Sequence, residues 1–242
     1  MKIFFTIITA LIVPLLCAFT IAVHGPVDPH QAYLYYGGPE FESGIATTTA
    51  LYKTTGTIAA VRGTYTSGRY ILFGVHPEVL SDSGIVSTDP GRTWFNREFV
   101  WARNGSTQPV LVYVQTGETW SVSVSGIEAY LTDQSISYTE VDAAWVNTHS
   151  ISTSSYSAIF APGGLGVGAS LDATGATNIA TFVASGGAYV GICSGAFAAC
   201  ATEIWEGDTY FGIGFFNGTC TGAIDAIAAW PDRALERIYY VN

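Results

Sequence analysis

A cysteine with glycines two positions before and two positions after it is the strongest chemical pattern in the chain. The stretch runs from Gly191 to Gly195 with Cys193 at its centre, between an apolar strand-like stretch at 188–192 and a run of small residues at 194–202 that predicts a helix. A nucleophile on a strained strand-to-helix turn needs both glycines, because larger side chains would meet the neighbouring backbone. The predicted helix N-terminus would favour the attacking thiolate. A tight turn with an inert cysteine is the alternative.

A thiolate nucleophile needs a proton shuttle, and His76 is the best candidate. It ends the strand-like stretch 69–75 and is followed by Pro77 and Glu78. Alternate residues of an extended chain point the same way, so His76 and Glu78 can face one site, with Glu78 orienting the imidazole. A His-Pro-Glu sequence by itself is equally typical of a plain turn.

A second glycine turn follows the predicted strand 156–161. Its residues are Pro162, Gly163 and Gly164. Open α/β sheets place their sites at the carboxyl ends of parallel strands. We therefore expect the backbone N–H groups of Gly164 and Ser194 to face a developing oxyanion. The alternative is an ordinary turn at the end of a strand.

The elements that must position these residues differ between the two halves of the chain. From residue 109 onward, predicted strands alternate with predicted helices, which indicates βαβ units and a parallel sheet. The strand-like stretches of residues 30–78 are too close together for crossover helices and predict an antiparallel meander. Residues 79–108 are interpreted as a connector with a helical turn around Trp94 to Trp101.

Together these motifs resemble the biotin-protein ligase N-terminal domains of the class I glutamine amidotransferase-like superfamily. The resemblance rests on Tyr35 to Pro39, Gly74 to Glu78, Ala161 to Gly164, and Phe182 to Gly195. It implies an α/β fold, a flavodoxin-like three-layer sandwich with a mainly parallel sheet and the meander added. It also implies a catalytic Cys193, His76 and Glu78. No cofactor and no metal ion are expected.

The order of the motifs departs from that family. There the cysteine turn precedes the His-Pro-Glu strand, whereas here His76 precedes Cys193. We interpret this as a circular permutation, with 79–108 joining the old ends and the new ends opening before Gly37. A similarity between residues 33–37 and 238–242 fits that interpretation. The alternative is a fragment of a tandem array, in which each half would need a partner copy.

Composition excludes several classes of protein. The 242 residues are 49% hydrophobic and 12% charged, which excludes a disordered chain, a coiled coil and a collagen-like repeat. The formal net charge of −10 leaves little basic surface, so nucleic acid is not an expected partner. The length fits one domain over residues 23–242. The sequence does not indicate an oligomeric state.

Residues 1–22 have the pattern of a secretory signal peptide. Lys2 precedes the apolar stretch 3–23. Cleavage would release a secreted or extracytoplasmic protein, whereas an uncleaved stretch of this length could anchor it in a membrane. Asn104 and Asn217 each begin a glycosylation sequon, which fits export.

The mature chain would keep three cysteines, which suggests one pair and one free thiol. If a helix joined Cys193 and Cys200, their Cα atoms would be about 10 Å apart, too far for a disulfide. We therefore predict a bond between Cys200 and Cys220 and a free Cys193. The alternative is that all three are buried thiols.

Two functions from different classes follow. The first is hydrolysis or transfer of an amide or acyl group, with Cys193 attacking a small-molecule or peptide amide; a small cysteine peptidase would use the same residues. The second is a non-catalytic extracellular binding or structural module that retains the fold. The second is favoured by export, since an exported domain has no obvious synthase to receive ammonia.

Overall fold

The computed structural model describes residues 31–42, 44–210 and 212–241. The helices are α1 (Thr93–Arg103), α2 (Ser121–Asp133), α3 (Ala143–Thr148), α4 (Ala173–Ala184) and α5 (Ser194–Phe197). The strands are β1 (Ala32–Tyr35), β2 (Glu40–Glu42), β3 (Thr47–Tyr52), β4 (Ile58–Tyr65), β5 (Gly68–Phe73), β6 (Ser81–Asp82), β7 (Ile85–Val86), β8 (Val110–Tyr113), β9 (Tyr138–Val141), β10 (Ala158–Ala161), β11 (Ala188–Ile192), β12 (Cys200–Trp205), β13 (Asp208–Tyr210), β14 (Phe216–Gly222) and β15 (Ala234–Tyr240). The predicted signal segment lies outside the described residues.

Five neighbouring strands form a parallel sheet in the spatial order β9, β8, β10, β11, β5. The first four follow the order 2-1-3-4 that a flavodoxin-like sheet has, and β5 occupies the fifth place. In the chain, however, β5 comes before all the others. The predicted parallel α/β sheet is confirmed, with its fifth strand contributed by the earlier half of the chain.

Helices cover both faces of this sheet, which makes three layers. Side chains of α1 and α2, such as Phe95 and Tyr130, pack with one set of alternate strand residues that includes Val112 and Phe160. Side chains of α3, α4 and α5 pack with the other set. Strand residues buried on both faces explain the continuous apolar stretches in the sequence.

The antiparallel half extends the same sheet. Of the antiparallel meander predicted for residues 30–78, the part from β3 to β5 is present, since these strands pair antiparallel in chain order. The strand β1 does not join that meander but pairs with β15, which also pairs with β3. Strands β2, β14, β12 and β13 complete the sheet beyond β4. The two similar stretches at 33–37 and 238–242 thus include neighbouring strands.

The helix predicted for 194–202 is wrong beyond its first turn. The helix α5 ends at Phe197, and β12 begins at Cys200. Residues Thr202, Ile204 and Trp205 favour a strand, and β12 pairs with both β13 and β14. The small residues at 194–199 allow close packing against the sheet. They do not indicate where the helix ends.

The segment interpreted as a connector contributes to the core. Residues 93–103 form α1, an eleven-residue helix that buries Trp94, Phe95 and Phe99. The hairpin of β6 and β7 precedes it. In the described part of the chain, no helix has the length and apolar character needed to cross a membrane.

Candidate active site

The predicted site residues meet at the carboxyl ends of three neighbouring parallel strands. Cys193 directly follows β11, Pro162 and Gly163 follow β10, and His76 comes three residues after the end of β5. A Cβ atom at Gly163 would collide with the His76 ring and lie 3.3 Å from Cys193 Cβ. His76 and Cys193 therefore both lie against Gly163, where a side chain would separate them.

Cys193 has the strained backbone of a nucleophile elbow. Its φ is 51° and its ψ is −113°, a conformation that a residue with a side chain rarely adopts. A Cβ atom at Gly191 would lie 2.6 Å from the Gly195 carbonyl oxygen, and one at Gly195 would collide with the Ala161 carbonyl oxygen. Both glycines are thus required by close backbone contacts, as the spacing predicted.

Behind Cys193 lies a buried hydrogen-bonded group of His76, Glu78 and Ser123. The side chains of His76 and Glu78 are fully buried, and His76 Nδ1 is 2.9 Å from Glu78 Oε1. The same carboxylate oxygen accepts a 2.6 Å hydrogen bond from Ser123 Oγ, which in turn accepts one from the Gly163 N–H. Arg92 Nε donates to the Glu78 backbone carbonyl. Ser123 thereby connects the acid to the glycine turn.

This environment changes the protonation of His76. Burial by itself lowers the pKa of the imidazole, but the negative charge of Glu78, the hydrogen bond to that carboxylate and the neighbouring Cys193 raise it to about 10. The ring is therefore charged at neutral pH. Its Nε2 atom and Glu78 Oε2 are buried with no hydrogen-bond partner of fully satisfactory geometry within the described ranges.

The thiol is only slightly accessible. Cys193 is 5% exposed, and its Sγ donates a 3.4 Å hydrogen bond to the Tyr36 carbonyl oxygen. The backbone N–H of His76 donates a hydrogen bond to the Leu34 carbonyl oxygen in β1. Backbone carbonyl groups of Leu34 and Tyr36 therefore accept hydrogen bonds from both His76 and the Cys193 thiol.

The two N–H groups predicted to face an oxyanion border an open cleft. Gly164 and Ser194 both line it, together with Cys193. Within the described residues, neither N–H group donates a hydrogen bond to the protein. The Gly163 N–H, in contrast, donates a hydrogen bond to Ser123 Oγ.

Two buried side chains hold the loop 164–171 that forms one wall of this cleft. Ser194 Oγ accepts hydrogen bonds from the Gly166 and Val167 N–H groups at 3.0 and 2.8 Å. The Glu118 carboxylate accepts from the N–H groups of Gly168 and Ser170. The Tyr113 hydroxyl also donates to Glu118. The side chains of Ser194 and Glu118 therefore hold the loop in place, a role that the sequence does not reveal.

We call this space the Cys193 cleft; its volume is about 560 Å³. Aromatic side chains line much of it: Tyr36, Phe197, Trp205, Tyr210 and Trp230. The Tyr36 and Trp230 rings stack at 4.8 Å, and the edge of Trp120 meets His76 at 5.1 Å. A volume of this size accommodates a small organic substrate.

Several residues of the site had no detectable signal in the sequence. Ser123 lies in α2, and Glu118 lies in the turn between β8 and α2. Tyr36 belongs to the stretch from Tyr35 to Pro39, which carries the family resemblance but indicates no role for this residue. Each of the three acts through a contact with a residue distant in the chain, which spacing alone does not reveal.

The cysteines pair as expected from the sequence. The structure joins Cys200 and Cys220 in a disulfide, with Cα atoms 6.1 Å apart, and leaves Cys193 free. The helix α5 ends before Cys200, so the pairing rests on the contact between β12 and β14 and not on a helix joining Cys193 to Cys200. Asn104 and Asn217 are both exposed. Within the described ranges, no cluster of three or more His, Cys, Asp or Glu side chains could hold a metal ion.

Comparison with known proteins finds a family model that matches part of the chain. Residues 108–226 match the model described as biotin-protein ligase, N terminal, which confirms the resemblance to that family for this part of the chain. The match suggests the glutamine amidotransferase-like fold. Cys193 lies inside the matched range, whereas His76 and Glu78 precede it. No curated protein and no solved structure matches the chain.

Proposed function

Because residues 108–226 match the model of the biotin-protein ligase N-terminal family and contain the strained Cys193, we propose that the protein hydrolyses or transfers amide or acyl groups. The observation that carries the proposal is the fully buried 2.9 Å contact between His76 and Glu78 beside Cys193. A structural histidine does not need an ion pair next to the one free thiol of the described chain.

The chemistry assigns one task to each group. Cys193 loses its proton to solvent, and the thiolate Sγ, beside the protonated His76 ring, attacks the carbonyl carbon of the substrate. The N–H groups of Gly164 and Ser194 stabilise the oxyanion of the tetrahedral intermediate. His76 then protonates the leaving amine as the C–N bond breaks, and water hydrolyses the thioester to the acid, restoring the thiol. Glu78 orients and stabilises the imidazolium throughout.

Covalent modification of Cys193 tests this function. The protein is acylated with p-nitrophenyl acetate or alkylated with iodoacetamide, and the modified peptides are identified by mass spectrometry. We expect modification of Cys193 to be faster in the native protein than in the urea-denatured protein, despite its burial. Cys193→Ala is the control, because it keeps the disulfide of Cys200 and Cys220.

A native Cys193 that reacts no faster than the denatured one would contradict the proposal. Equal amide hydrolysis by wild type and Cys193→Ala would instead favour the second function, a binding module that retains the fold. The disulfide and an accessible aromatic cleft are compatible with that function as well.

We also propose that the chain is circularly permuted. Support comes from β5, which occupies the fifth place of a flavodoxin-like sheet although it precedes β8 in the chain. The proximity of His76 and Cys193 disfavours a fragment of a tandem array. The pairing of β1 with β15 puts the first and last described strands side by side.

Rearranging the gene tests the permutation. A short Gly/Ser linker would join residue 241 to residue 31, and new ends would open between Ser83 and Gly84, which are exposed. We expect this chain to fold with the same circular dichroism spectrum and the same Cys193 reactivity. Loss of folding with several linker lengths would count against permutation.

Export is the final part of the proposal. The disulfide of Cys200 and Cys220 supports an oxidising compartment, and both sequon asparagines are exposed. We expect the exported protein to begin near residue 23, which N-terminal sequencing would establish. A protein retained in the membrane with Lys2 present would indicate the anchored alternative.

A further inference from the structure

A carboxylate that has no partner among the described residues lines the Cys193 cleft. Glu203 lies on β12, is partly buried and borders the cleft. Among residues 31–42, 44–210 and 212–241, nothing donates a hydrogen bond to its side chain or forms an ion pair with it. Glu78 and Glu118, in contrast, each accept hydrogen bonds from several groups. Burial raises the pKa of the Glu203 carboxyl, as expected for an acid with no stabilising neighbour.

The strand geometry directs this carboxylate toward aromatic rings. Glu203 and Trp205 alternate along β12, so their side chains are on the same face. Tyr210 on β13 is directly opposite Glu203 in the antiparallel register. All three residues line the cleft, and Trp230 packs edge-on against Trp205 at 5.4 Å.

A carboxylate among aromatic rings is the arrangement that recognises an organic cation. Ring faces attract a cation, and the attraction increases when water is excluded. Glu203 is the one charged residue among the described residues that line the cleft. An uncharged ligand would leave its carboxylate desolvated and unpaired, which is unfavourable.

We propose that the Cys193 cleft binds a cationic group of the substrate, an alkylammonium or a guanidinium, between Glu203 and the aromatic rings. The reaction at Cys193 is thereby restricted to amides or acyl compounds that carry such a group. The restriction rests on the proposed function, whereas the binding of the cation requires no reaction.

Two ligands of nearly equal shape test the inference. The cation n-butylguanidinium and the neutral n-butylurea are titrated into Cys193→Ala, which cannot be acylated. Binding is followed by the fluorescence of the cleft tryptophans and by calorimetry. We expect the cation to bind at least tenfold more tightly than the urea.

Charge removal identifies the residue responsible. Glu203→Gln should abolish the preference for the cation without weakening the binding of n-butylurea. Glu206→Gln is the matched control, because Glu206 is exposed in the adjacent turn and is not among the described lining residues. It should keep the full preference. Circular dichroism checks that each variant folds.

Equal affinities for the two ligands in Cys193→Ala would overturn the inference without any further variant. So would a preference that survives Glu203→Gln. The two proposals can be overturned separately. An unreactive wild-type Cys193 with a retained preference for the cation would overturn the proposed enzymatic function. A reactive Cys193 without that preference would overturn the proposed cation site.

Discussion

The two sides of Cys193 hold their carboxylates in different ways. Behind the cysteine, Glu78 is fully buried and accepts hydrogen bonds from His76 and Ser123. In front of it, Glu203 borders an open aromatic cleft and has no partner within the described residues. A paired and buried acid keeps one neighbour in one orientation, which suits the reaction itself. An unpaired acid is available to a ligand, which suits the selection of a substrate.

Removal of the proton shuttle should have the largest effect. We expect His76→Asn to lower the rate of Cys193 acylation by p-nitrophenyl acetate by roughly 10²–10⁴-fold, the range for a lost general acid or base. Stopped-flow absorbance of the released nitrophenolate measures the rate. Affinity for n-butylguanidinium should not change, because Glu203 is not altered. Equal losses in both assays would show that the two sides are not independent.

Neutralising the buried acid should have the next largest effect. In Glu78→Gln the amide keeps the shape but not the charge that raises the pKa of His76. We expect acylation to slow by about a hundredfold at most and the pKa of His76, followed by NMR, to fall.

Glu42→Gln, at an exposed position on β2, is the control for this change and should alter neither quantity. A Glu78→Gln protein with an unchanged His76 pKa would contradict the assigned role of the acid. A slower reaction with no change in that pKa would indicate a purely structural effect.

The pH dependence of stability should report the same buried pair. The pKa of His76 is about 10 in the folded protein and 6.5 in the unfolded chain, so its contribution is complete below pH 6.5 and is lost as the pH rises through 10. The free energy of unfolding should therefore decrease by roughly 1 kcal/mol per pH unit across that range. Urea titrations at several pH values measure it.

The matched protein for these titrations is His76→Gln, which retains the buried tyrosines that also titrate at high pH. The decrease in the free energy of unfolding between pH 6.5 and 10 should be smaller in this variant. An identical pH dependence in the two proteins would contradict a charged imidazole beside Glu78.

The smallest effect is expected from a change on the open side. Trp205→Leu removes one ring of the cleft and should weaken n-butylguanidinium binding by about threefold to fivefold, the size of an exposed cation–π contact. Calorimetry in the Cys193→Ala background measures it. Acylation of Cys193 in the otherwise wild-type protein should stay within a factor of two. A larger loss of acylation would mean that Trp205 also supports the thiol.

Much of the fold followed from local patterns. The apolar stretches that became β8, β10 and β11 are buried on both faces, and the alternation of strands and helices predicted their parallel pairing. The helix after Cys193 did not follow, because small residues pack closely in either a helix or a strand. What ended it at Phe197 was the pairing of β12 with β13 and β14, which the small residues before Cys200 do not indicate.

The sequence by itself determined the strained turn at Cys193 and the pairing of His76 with Glu78. Both depend largely on directions and contacts within a few residues, which spacing expresses, although Gly195 also meets the carbonyl oxygen of Ala161 on the neighbouring strand. Only the tertiary structure decided that Ser123 joins the acid to the glycine turn, that Glu118 and Ser194 fasten the cleft wall, and that Glu203 has no described partner. These facts depend on which side chains meet across the sheet, and packing of distant segments determines that.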